Sequence, residues 1–107
     1  MNKDFLDLKE AEEKAYIASK ELCKALGEER DANTLLKQKE YQVELDNMEA
    51  LCSKEMSAAT HKIKVGHETF NETLRLTTAK TNRKIYDIKH RSLDRKYYLL
   101  KLQSNIR

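Results

Sequence analysis

Apolar positions recur at helical spacing from one end of this chain to the other. In its second half they run Ile63, His67, Phe70, Leu74, Thr77 and Thr81, then Ile85, Ile88, Ser92, Arg95, Leu99, Leu102 and Ile106. Alternating steps of three and four define a heptad seam, and the repeated step of four near Thr81 is a stutter. Such a seam predicts a helix over about 69–105 with a partner helix along it. In the last third a second line, Tyr86, Leu93, Tyr97 and Leu100, falls on nearly the opposite side, since each residue turns a helix by about 100°. One neighbouring helix cannot cover both. The pattern therefore predicts that Ile85, Ile88, Leu99 and Leu102 pack on the chain itself. Tyr86, Leu93, Tyr97 and Leu100, together with Arg95, are then the partner-binding residues, and Tyr and Arg are enriched where interfaces gain most of their energy.

Upstream, Met1, Phe5, Leu8, Ala11, Ala15, Ala18, Leu22, Ala25 and Leu26 form one broad face and predict a helix over about 3–26. Asn2 is its candidate cap, with Asp4 and Asp7 at the positive end of the helix dipole. The alanines leave room for a close neighbour, and Glu10 with Lys14 forms a favourable i,i+4 pair. Gly27 is placed to end this helix or kink it. After a polar connection, a second helix over about 33–61 carries the stripe Leu35, Tyr41, Leu45, Met48, Cys52, Met56, Ala59 and Ile63, with Leu36, Val43 and Ala50 on another side. The main reversal is predicted at 62–68, around Gly66. Thr69-Phe70-Asn71-Glu72 follows it with the spacing of a capping box.

Composition narrows the fold class. Pro is absent and Gly occurs twice, so little interrupts a helix. Ala, Glu, Lys, Leu and Arg make up about half of the chain, the make-up of long helices and coiled coils. The expectation is a single all-α domain, an antiparallel helical hairpin or three-helix bundle with coiled-coil character. Charge divides the chain. Residues 1–60 hold nine Lys/Arg against fourteen Asp/Glu, a net of −5, and residues 61–107 hold twelve against four, a net of +8. Pairing the halves, within a chain or between two, brings opposite charges together and selects orientation more than it stabilises.

Candidate chemistry is sparse. Two isolated glycines build no phosphate-cradling loop. Asp87 and His90 stand one turn apart, but the second carboxylate–histidine pair that a di-iron helical site needs is missing. Neither a catalytic residue nor a cofactor or metal site is expected, and the chain reads as non-enzymatic. Cys23 and Cys52 sit at apolar helical positions and read as small buried hydrophobes. The function expected is a protein-interaction or assembly module, an adaptor, a structural subunit or a chaperone-like holder of a helical client. Its partner is itself, as a homo-oligomer, or another helical protein. The alternative is nucleic-acid binding by the basic half, with Lys80, Arg83, Lys84, Arg91 and Lys96 as phosphate contacts beside Tyr86, Tyr97 and Tyr98. No apolar run approaches the roughly 20 residues of a membrane span, and no signal segment opens the chain, so an intracellular, cytoplasmic location without membrane insertion is expected.

Overall fold

The computed structural model describes the backbone of residues 2–106 and the side chains of residues 5–105. The proposed Asn2 cap and the side chains of Met1, Asp4 and Ile106 lie outside the described residues. The fold is all-α: α1 spans Asn2–Cys52, α2 spans Ala58–Glu68 and α3 spans Phe70–Ile106, and no strand occurs among the described residues. Gly27 does not end α1. It has no positive φ, and α1 continues through it for 51 residues in all. The cost of one helical glycine, about 0.5–1 kcal/mol, is small against the packing on either side of it.

The reversal lies at 53–57, not at 62–68, where the chain is helical. Past the end of α1, Lys54 takes a left-handed conformation with φ 62°. Its N–H donates to the Leu51 carbonyl at 3.3 Å, and the Met56 N–H donates to the Ala50 carbonyl at 3.1 Å. These bonds satisfy carbonyls that a helix end leaves open. Ser57 then caps α2: its hydroxyl oxygen accepts the Thr60 N–H at 3.1 Å. The capping box expected at Thr69 does not form. The Thr69 hydroxyl donates backward to the Val65 carbonyl at 2.7 Å, while its carbonyl accepts the Thr73 N–H at 2.9 Å. Helical bonding thus continues past the one non-helical residue between α2 and α3.

The helices form two compact units, Met1–Gly27 with Thr81–Arg107, and Glu28–Lys80. In the first unit α1 presents Ala11, Ala15, Ala18 and Ala25, all buried, with Leu8 and Leu22 half-buried on the same line. The facing line on α3 is Tyr86, His90, Leu93, Tyr97 and Leu100, all half-buried. Small residues on one helix thus leave space for large ones on the other. The two run antiparallel: Lys89 reaches Glu21 at 3.2 Å, while Leu93, Lys96 and Leu100 share a shallow cleft with Asp7, Glu10, Ala11 and Lys14.

In the second unit Ala32, Leu76 and Ala79 form a buried cluster with Leu36 packed on it, and Val43 is the largest side chain fully removed from solvent. A buried Asn47 crosses this unit. Lys64 donates to its Oδ1 at 3.2 Å, which leaves its NH2 group to donate to His61 Nδ1 at 3.2 Å. Lys can only donate, so this assignment of the amide follows from chemistry.

Candidate protein-interaction surface

The facing of α3 is the reverse of what its pattern predicts. Tyr86, Leu93, Tyr97 and Leu100 point inward, half-buried, and only Arg95 of the expected partner-binding set is exposed. Ile85, Ile88, Leu99 and Leu102, expected inside, are 57%, 68%, 52% and 41% exposed. The physical reason is size: the buried alanine face of α1 leaves room for the larger Tyr86, Leu93, Tyr97 and Leu100. The inward line, read through Thr69, Glu72, Leu76, Ala79, Arg83, Tyr86, His90, Leu93, Tyr97 and Leu100, keeps steps of three and four without a stutter. The more apolar line takes two steps of four in succession at Thr81. Polar members of the true seam, Glu72 and His90 among them, conceal it from a ranking by hydrophobicity.

The outer side of α3 in the first unit therefore presents an apolar strip. Ile85, Ser92 and Leu99 alternate with Ile88, Arg95 and Leu102 at three- and four-residue steps, which places them on two adjacent rows of the helix. The rows bordering the strip carry Lys84 and Arg91 on one side and Lys89 and Lys96 on the other, all exposed. Part of this charge is already compensated: Arg91 meets Asp87 at 3.0 Å and Lys89 meets Glu21 at 3.2 Å. Of the remaining candidate phosphate contacts, Lys80 is exposed and belongs to the second unit, and Arg83 is half-buried on the inward line.

The second unit has an outer strip of its own, on α1. Tyr41, Leu45 and Met48 are 63%, 41% and 49% exposed and lead at the same spacing to Cys52, also exposed. Here the borders are acidic, with Glu44 on one side and Glu49 on the other; residues 40–52 hold four Asp/Glu and no Lys or Arg. Cys23 is likewise exposed, and both thiols are free, contrary to the buried role expected of them. Each lies next to an inward position, one step of the helix too far round to be covered.

Electrostatics in the first unit are local. The Lys14 ammonium holds the Glu10 carboxyl below its usual range, first by a side-chain hydrogen bond and then by Coulomb attraction, with a smaller pull from Lys96. The pair stands 2.9 Å apart, as its i,i+4 spacing predicts. Among the described residues no group of three or more His, Cys, Asp and Glu is placed to hold a metal ion, and no helix is long and apolar enough to cross a membrane. The cleft beside Glu10 measures about 200 Å³, and one beside Leu35, Gln38 and Glu72 about 320 Å³. No protein-family model matches the chain, and no characterised protein and no solved structure is significantly similar to it.

Proposed function

We propose that this chain is a non-enzymatic protein-interaction and assembly module whose contact face is the outer strip of α3. One observation carries the reading: a helix whose inward line is already packed exposes four large aliphatic side chains, Ile85, Ile88, Leu99 and Leu102, in register on the other side. Scattered exposed aliphatics are ordinary, but a second heptad line on one helix supports a second helical neighbour. The expected residues of contact are accordingly these four with Arg95. Tyr86, Leu93, Tyr97 and Leu100 become the support that fixes the helix from behind.

A nucleic-acid reading rests on Lys84, Lys89, Arg91 and Lys96 along the same borders. A phosphate-binding helix gains nothing from the aliphatic rows between them, which favours a protein neighbour. Native purification of the full chain, with light scattering across a salt series and the 260/280 nm absorbance ratio, separates the two. The module predicts a nucleic-acid-free species above monomer mass that survives high salt and is lost in Ile88→Asp with Leu99→Asp. A species rich in nucleic acid and stripped by salt, whose affinity falls steeply with ionic strength, overturns it, as does a complex that the double substitution leaves intact.

A further inference from the structure

Resting on that reading, we infer that the occupant of the basic-bordered strip of α3 is the acid-bordered strip of α1 in a second copy of this chain. The two surfaces are matched in kind. Each is a line of exposed apolar side chains at heptad spacing, Ile85, Ile88, Leu99 and Leu102 on one and Tyr41, Leu45, Met48 and Cys52 on the other. They are opposite in charge. Residues 83–101 hold seven Lys/Arg against two Asp/Glu, whereas residues 40–52 hold four Asp/Glu alone.

Self-pairing of the α3 strip is disfavoured by the same charges. An antiparallel pair centred between Ser92 and Arg95 aligns Ile85 with Leu102 and Ile88 with Leu99. It also sets Arg91 near Lys96 of the other copy, and a parallel pair stacks Arg95 on Arg95. Like charges facing one another across a helical seam select against the wrong partner. The acidic strip removes that conflict: Glu44 and Glu49 border its apolar row as Lys84, Lys89, Arg91 and Lys96 border the other. In the first unit the outermost line of α1 reads Leu6, Glu10, Glu13, Ile17, Lys20 and Lys24, with two apolar members in six. The contact is therefore heterologous, one face of each kind per copy.

Complementation by mixing tests this on the full chain. One variant carries Ile88→Asp with Leu99→Asp and loses the α3 face; the other carries Leu45→Asp with Met48→Asp and loses the α1 face. All four positions are exposed, and circular dichroism checks that both variants keep the helical content of the parent. The parent is expected above monomer mass by light scattering and each variant alone at monomer mass. An equimolar mixture is expected to recover a species of twice the monomer mass, because each variant retains the face the other lacks. An α1-face variant that stays associated would show that the α3 strip pairs with itself and sink the inference. A parent that is monomeric alone but found bound to a different protein through Ile88 and Leu99 would also sink it, while leaving the proposed function standing. Loss of the proposed function itself reads differently, as a complex indifferent to the α3 substitutions.

Discussion

The two units share buried alanines but complete their seams with different materials. In the first, α1 contributes alanines, Ala11, Ala15, Ala18 and Ala25, and α3 contributes the bulk. In the second, Val43 is buried to 1% exposure and the polar Asn47 crosses the seam to His61 and Lys64. An alanine seam specifies by size, because only a small residue lets the tyrosine and leucine row of the other helix approach. A seam with a buried amide specifies by partner, because an Asn moved off its bonds is left unsatisfied at a cost of about 1–3 kcal/mol. The units differ in chain closure as well. The second is closed by the 53–57 connection, whereas the first joins Glu21 to Lys89 across 68 residues of sequence. Local closure costs less entropy, so the second unit is the expected start of folding.

The largest effects should come from reversing the materials. Enlarging the first seam by Ala18→Leu should cost about 1–3 kcal/mol through overpacking. Shrinking the second by Val43→Ala should cost about as much, about 1–3 kcal/mol, through lost burial and the cavity left behind. Urea unfolding followed by circular dichroism measures both. If Ala18→Leu proved neutral, the alanine line would not be the site of close approach and the contrast between the units would collapse.

Much of this architecture is written in the residues. Pro is absent, heptad steps run throughout and Ala11, Ala15, Ala18 and Ala25 mark the face of close approach, so an all-α fold and the alanine seam are legible. The reversal is hidden for a physical reason. Leu45, Met48, Cys52, Met56, Ala59 and Ile63 keep helical spacing straight through residues 53–57, so periodicity sees no break. Nor does a glycine mark the left-handed position; Lys54 occupies it. The signal that could have found the turn is Ser57 directly ahead of Ala58-Ala59-Thr60, a capping serine with a donor three residues on. For the interaction surface, both apolar lines of α3 are legible but their facing is not. Apolarity ranks Ile85 and Ile88 above a seam that includes Glu72 and His90, and heptad spacing alone fits both lines. On α1 the same ranking favours the exposed Tyr41, Leu45 and Met48 over a seam that includes the buried Asn47.

Intermediate effects should come from backbone positions. At both Gly27 and Gly66 a Cβ would meet nothing within 4 Å, and neither glycine has a positive φ. Gly27→Ala and Gly66→Ala should each stabilise by about 0.5–1 kcal/mol by restricting the unfolded chain. Gly27 closes the α1 segment of the first unit and Gly66 lies in the second, so equal gains would show that both helical segments are continuous in solution. Lys54→Gly should add about 1 kcal/mol by removing the side-chain penalty of the left-handed region. A loss on Lys54→Gly would place the reversal elsewhere, and a loss on Gly27→Ala would restore a break in α1.

The smallest effect concerns charge in the first unit. Glu10 is held below the ordinary carboxylate range chiefly by its hydrogen bond to Lys14, so its folded pKa lies under its unfolded one. A depressed acid contributes stability above its unfolded pKa, and the contribution fades as pH falls through the folded value. Because Glu10 and Lys14 are both exposed, solvent and salt screen most of this, and the direct readout is the titration of the carboxyl itself. Lys14→Ala should raise the Glu10 midpoint, followed by the side-chain carboxyl shift in NMR, and Lys96→Ala should raise it less. A midpoint that moves with Lys96 but not with Lys14 would transfer control of Glu10 from its own helix to α3. The charge of the first unit would then act across its seam, and its basic strip would be less free to meet the acidic strip of another copy.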